Sequence, residues 1–243
     1  MRCLGVLIIA VLAVALAGCE SSQQVIDPLP APFYPEQRPV RPPEPPRPPE
    51  PPPTPPRPTV SLSGATIVID PGHGGGKPGA WPRATSKLPE KTIVLDIANR
   101  LVQELRARGA RVIPTRTTDL DVDFDDRARI AEENRADLFV SIHADSAPRR
   151  SASGTGVHVY LKASAESEQA ARCIIAAFEN AGIECRGRFQ NNFAVLRDHS
   201  RPAVLIECGF LTNPGDARLL NTPEHRAALA ATIAAGIAEY FTR

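Results

Sequence analysis

Between Pro28 and Thr59 the chain contains RPPEPPRPPEPPPTPPRP, a stretch that can join neither a helix nor a sheet. Proline has no amide hydrogen to give to a ladder, and its ring fixes φ. The segment is expected to form a polyproline II rod of ~3.1 Å per residue, so ~30 residues reach ~90 Å. A proline-rich recognition ligand is the rival reading. A semi-rigid spacer fits better behind a membrane anchor, because it holds whatever follows away from the bilayer. Folding is therefore confined to the two sides of this rod.

On its N-terminal side lies MRCLGVLIIAVLAVALAGCE. Arg2 supplies a short positive region, and the apolar run Leu4 to Leu16 is shorter than the ~20 residues of an ordinary membrane span. Leu16-Ala17-Gly18-Cys19 resembles the lipobox of bacterial lipoproteins. The resemblance implies a signal peptide over residues 1–18, cleavage before Cys19, and acylation of its thiol and new amino group. Several acyl chains at ~0.8 kcal/mol per buried CH₂ anchor durably where one does not. An ordinary signal peptide cut near Ala17 is the alternative. Glu20, where the sorting rule for inner-membrane retention wants Asp, points to the periplasmic face of the cell envelope and the outer membrane. Residues 19–59 then form the lipidated terminus and linker, and residues 60–243 the folded domain.

The net charge of +1 shows no basic face, so a nucleic-acid partner is not expected. From Val60 onward the composition is that of one globular core. ATIVID, ARVIPT, DLFVSI, GVHVYL, FAVLR and AVLIEC read as strands. EKTIVLDIANRLVQELRAR places Ile93, Ile97, Leu101 and Leu105 on one helix face, with Gly109 as its stop. DFDDRARIAEENR, SAESEQAARCIIAAFENAG and TPEHRAALAATIAAGIAEYF are further helices. Strand–helix alternation argues for an α/β layer with a partly parallel sheet.

The turn in TIVIDPGHGGGKPGA is one residue short of a P-loop, and Pro78 stands where a hydroxyl would hold magnesium, so a phosphate cradle is rejected. His73, His143 and Glu207 each directly follow an apolar run, and ligand sites in open α/β sheets form beyond the carboxyl ends of strands. Glu90 sits at an expected helix start, where the dipole favours its charged form by ~0.3–1 kcal/mol. Two imidazoles and a carboxylate suit a divalent transition metal, zinc above all. Singly, a histidine after a strand is more often a hydrogen-bonded loop residue, and no local motif such as H-E-x-x-H is present. A lone carboxylate buried in a strand, as at Glu207, demands a partner or a raised pKa.

IVIDPGHGG, EKTIVLDIA, RARIAEENRADLFVSIHAD, GVHVYL, NNFAVLRD and PAVLIECGFLTNPGDARLL, in that order, resemble the zinc-dependent N-acetylmuramoyl-L-alanine amidases of the Amidase_3 type. The resemblance runs from about Thr66 to the C-terminus. It implies a single α/β domain with a twisted, mostly parallel sheet of about six strands flanked by helices. It also implies zinc on His73, Glu90 and His143, Glu207 as catalytic residue, and hydrolysis of the bond between N-acetylmuramic acid and L-alanine in peptidoglycan. Wall remodelling, daughter-cell separation or recycling would be its setting. Arg197 is a candidate for a stem-peptide carboxylate, with a surface salt bridge as the competing role. The glycines at 72, 74, 75 and 76 are read as clearing space for a thick sugar–peptide strand.

Cell-division members of that family carry an inhibitory helix in a long insert after the GVHVYL-type strand. Leu161 to Phe189 holds little more than one helix, so an open resting site that requires no activator protein is expected. His158, His199 and His225 are expected in structural or surface roles. Cys173 and Cys185 are candidates for a disulfide, and Cys208 for a small core residue. Two other functions stay open on sequence: a catalytically inactive module tethered at the wall, and a zinc peptidase of the stem peptide.

Overall fold

A computed structural model describes residues 60–81, 88–146 and 152–242. The lipobox and the proline-rich rod lie outside these residues. The order is β1 (Thr66–Pro71), α1 (Glu90–Ala107), β2 (Arg111–Pro114), α2 (Phe124–Glu133), β3 (Leu138–Asp145), β4 (Thr155–Tyr160), α3 (Ala165–Asn180), β5 (Cys185–Asn191), α4 (Ala194–Arg197), β6 (Ala203–Phe210), α5 (Pro214–Leu220) and α6 (Pro223–Tyr240). The strands form one sheet in the order β2-β1-β3-β6-β4-β5. Only the β4–β6 pairing is antiparallel, so the mostly parallel six-stranded sheet expected above is what the chain forms.

Side-chain alternation along each strand builds two different layers. Ile67, Ile69, Val140, Ile142, Val157, Val159, Val204 and Ile206 face α1, α3 and α6 in the main core. Val68, Phe139, Ala203 and Leu205 face the opposite way, onto Ala131 of α2 and Val195 and Leu196 of α4. Because both faces are covered, β6 is buried along its whole length and reads as an apolar run interrupted by Glu207. The second layer is thinner, and Asp70, Ser141, His143 and Glu207 alternate onto it (their strand neighbours fill the main core).

Three elements differ from the sequence reading, one of them the unforeseen short helix α5. FAVLR is not a strand: Leu196 and Arg197 both donate backbone N–H to the Phe193 carbonyl, and Ala194–Arg197 is the short helix α4. Its adjacent Val195 and Leu196 are both buried in one cluster, which a strand's two-sided alternation forbids. The missing strand is β5, CRGRFQN, at the sheet edge against β4. Its arginines disguise it, but a charged edge strand resists pairing with other chains.

Cys173, Cys185 and Cys208 are free thiols, so the Cys173–Cys185 bridge is not formed. Cys208 is buried in the main core as expected, and burial pushes its thiol far up. Among the described residues, no helix is long and apolar enough to cross a membrane.

A candidate metal centre at the strand ends

His73 lies two residues beyond β1, in a turn that its backbone adopts at a cost. Its φ is 58°, a left-handed value that side chains other than glycine seldom take. Carbonyls in such a turn lack ladder partners, and two buried arginines supply them. Arg116 donates to the Pro71 and Gly72 carbonyls at 3.0 and 2.7 Å. Arg127 donates to those of Pro71 and His73, each at 2.8 Å. Arg127 also pairs with Asp70, which accepts further hydrogen bonds from Thr115 and Ser141. The turn is thus braced from beneath by a buried ionic network.

The glycines around His73 have a more local reason than clearance for substrate. A Cβ on Gly72 would sit 2.3 Å from Cε1 of His143, and one on Gly74 would sit 2.0 Å from the Leu120 carbonyl oxygen. These positions are small so that the turn can pack against its own protein; Gly76 alone of the four meets nothing within 4 Å. Gly72→Ala is accordingly expected to displace the His143 ring and weaken divalent-metal binding by about 10–100-fold, the range for lost support of a ligand. Calorimetric titration with metal, with circular dichroism as a control for folding, measures this.

Glu90 opens α1 and turns its carboxylate inward, where it is only 4% exposed. One oxygen, Oε1, lies 3.0 Å from both His73 Nε2 and His143 Nδ1 and accepts the Ala144 amide at 3.0 Å. The other, Oε2, accepts the Ala80 amide at 2.8 Å. Burial alone would raise the pKa of this carboxyl, yet hydrogen bonds from His143 and His73 outweigh it and hold the group far below the usual range. The donor atoms of His73, Glu90 and His143 all lie within 4.8 Å of one another. Two imidazole nitrogens around one ionised carboxylate oxygen form a donor set that fits a divalent metal ion with an open fourth position. The three residues singled out in the sequence therefore meet.

Glu207 stands beside them. On the sheet it is in register with His143 of β3 on one side and Gly156 of β4 on the other. It is 7% exposed, and its buried Oε2 has no hydrogen-bond partner. Burial, then repulsion from Asp145 and Glu90, pushes its carboxyl well above the ordinary value; Arg186 opposes this in part.

Sequence reading missed Arg186. Its guanidinium stacks on Phe189 and Phe210, with ring centroids 4.9 and 4.3 Å away, and reaches to 4.0 Å from Asp145. A Cβ on Gly156 would meet its Nη2 at 2.9 Å, so the glycine in register with Glu207 makes room for this cation. Only that glycine hinted at it. Arg197, the arginine chosen from sequence, is forked onto its neighbour Asp198 at 2.5 and 2.8 Å on the surface. His158 stacks on Phe189 and its Nδ1 accepts from Asn191; burial, then Arg186 and His143, lower its pKa to about 4.

Known proteins resemble the chain in sequence and in fold. Residues 67–239 match the family profile described as N-acetylmuramoyl-L-alanine amidase. A probable cell wall amidase, LytH, of Staphylococcus epidermidis is 38% identical over 182 residues, which cover 74% of this chain and 60% of that protein. The chain thus spans less than two thirds of the length of the first curated relatives it matches. The germination-specific N-acetylmuramoyl-L-alanine amidase of Bacillus subtilis is 32% identical over 200 residues, covering 76% of this chain and 83% of that one. The crystal structure of an N-acetylmuramoyl-L-alanine amidase from Clostridium difficile superposes with a TM-score of 0.70 at 34% identity, covering 73% of this chain and 97% of the other. With the family profile matched from residue 67 to residue 239 and the fold shared with solved members, the chain belongs to the Amidase_3 family of N-acetylmuramoyl-L-alanine amidases.

Proposed function

We propose that the protein hydrolyses the amide bond between N-acetylmuramic acid and L-alanine in peptidoglycan, with zinc held by His73, Glu90 and His143 and with Glu207 as its acid–base residue. The observation that carries this is the convergence of those three donor groups with Glu207 in register beside His143. Bound there, zinc supplies a Lewis acid that lowers the pKa of water toward ~7 and polarises the scissile carbonyl.

The chain's own residues do the rest. Backbone amides of Ala80 and Ala144 hold both oxygens of Glu90 in direction, while hydrogen bonds from His143 and His73 keep the group ionised. Glu207 takes a proton from the attacking water and delivers it to the departing alanine nitrogen. Its raised pKa suits the second half of that cycle, because burial favours the protonated carboxyl until the leaving nitrogen takes the proton. The single helix between β4 and β5, α3, packs into the main core on the sheet face away from Glu207, in keeping with an open site that needs no activator. On sequence grounds the proposal includes acylation at Cys19, the proline-rich spacer and an outer-membrane anchor.

Digestion of purified sacculi followed by mass spectrometry of the soluble products tests the reaction. Complete stem peptides beginning with L-alanine and uncut glycan are expected. Shortened peptides would mark a peptidase instead, and no release a non-catalytic wall-binding module. For the metal, His73→Ala and His143→Ala are each expected to lower zinc below one per chain by elemental analysis. Full occupancy in either variant would refute the ligand assignment.

A further inference from the structure

Beside the two imidazoles lies a cavity of about 90 Å³. His73 and His143 form the side toward the metal centre, and Val122, Phe124 and Val195 form apolar walls. Asp70, Lys77 and Arg127 also line it, but none of them presents a free charge to an occupant. Lys77 is paired with Asp121 and Asp123, each at 3.0 Å, and Arg127 with Asp70. What remains open to a ligand is aliphatic and aromatic surface. Val195 is 5% exposed, buried where α4 packs against α2, whereas Phe124 is 60% exposed and stands at the rim. The volume exceeds the ~10–15 Å³ that one water needs, and apolar walls with no free polar partner hold water poorly.

We propose that this cavity is a selectivity pocket for a methyl-sized aliphatic group carried on a carbon flanking the scissile amide. The inference rests on the amidase reading above and adds to it what the site selects. A carbonyl held at the His73–His143 pair would have its neighbouring carbons next to the two imidazoles that also line the cavity. In a muramoyl-alanine amide both flanking carbons bear a methyl: the side chain of L-alanine and the methyl of the lactyl ether. The chemistry is the same for either, and the test separates them.

The experiment uses the full-length protein in detergent with three synthetic muramoyl peptides: the parent, one with glycine in place of L-alanine, and one lacking the lactyl methyl. A buried methyl is worth about 10–200-fold in kcat/KM, so one of the two trimmed substrates is expected to fall at least about 10-fold below the parent. A slow glycine peptide assigns the pocket to alanine, and a slow desmethyl ether assigns it to the lactyl group. Val195→Ala, which widens the cavity, is expected to shrink that preference several-fold and to raise the relative rate on a substrate carrying ethyl at the assigned position. Val195→Phe, which fills it, is expected to abolish the preference if it folds. Zinc content is measured alongside and is expected to be unchanged in Val195→Ala. Both trimmed substrates within about twofold of the parent, or an unchanged preference in Val195→Ala, would overturn the proposal. Failure of wild-type protein to cut the parent at the muramoyl bond would instead sink the amidase reading, and the pocket with it.

Discussion

Glu207→Gln is expected to lower peptidoglycan hydrolysis by about 10²–10⁴-fold, the usual worth of a positioned acid–base group, while one zinc per chain is retained. The substitution is nearly isosteric, so the fit between β3 and β4 is kept, but an amide neither takes a proton from water nor returns one to a leaving nitrogen. Glu207 lies outside the cluster formed by His73, Glu90 and His143, which is why metal and activity should separate. Stability should move the other way. A carboxyl whose folded-state pKa is raised costs stability as pH climbs above its unfolded value, because the folded protein resists the ionisation that the unfolded chain accepts. In metal-free protein at pH 7, Glu207→Gln is therefore expected to melt no lower than wild type, and its margin to shrink as pH falls toward the ordinary carboxyl range. Hydrolysis of sacculi at the wild-type rate would refute the role of Glu207. A large loss of melting temperature in the variant would refute the account of its burial.

The parts of this site that were legible in the sequence share one property: a local pattern announces them. His73, His143 and Glu207 are each a polar residue that comes after an apolar run, and parallel pairing of β1, β3 and β6 brings their C-terminal ends to the same side of the sheet. Glu90 begins a helix whose four-residue apolar period is plain. What was missed depends on partners far away in sequence. Asp70 looks like an ordinary strand residue until Arg127, 57 positions later, is seen against it. Arg186 reads as edge-strand charge, and only the fold brings Phe210 over its guanidinium. The α4 segment was misread because four residues are too few for a helical period to appear, whereas α5 had a usable signal. Asn213 caps it by accepting the Gly215 and Asp216 amides, and Pro214 sits at its first turn.

Arg127→Met is expected to cost about 3–5 kcal/mol of folding stability, the range for removing one partner of a buried ion pair, and to weaken metal binding as well. Asp70 is 0% and Arg127 3% exposed, so the carboxylate left behind would keep only the Thr115 and Ser141 hydroxyls as hydrogen-bond partners, with Arg116 as a counter-charge it does not touch. The same guanidinium holds the His73 carbonyl in a backbone conformation that costs on the order of 1–3 kcal/mol. Losing it should let the turn relax and carry the imidazole away from Glu90. Two further variants divide the two effects. Asp70→Asn combined with Arg127→Met removes both charges and should recover part of the stability, because a neutral pair is cheaper to bury than an orphaned ion. It should not recover metal affinity, since the His73 carbonyl still lacks its donor. Arg127→Lys keeps a charge for Asp70 but offers one ammonium where a fork reached three carbonyls and a carboxylate; it should fold better than Arg127→Met and still bind metal more weakly than wild type. Chemical denaturation and zinc titration of the three variants measure both quantities. If Arg127→Met matched wild type in both, the buried network would be incidental to His73, and the strained turn would need another support.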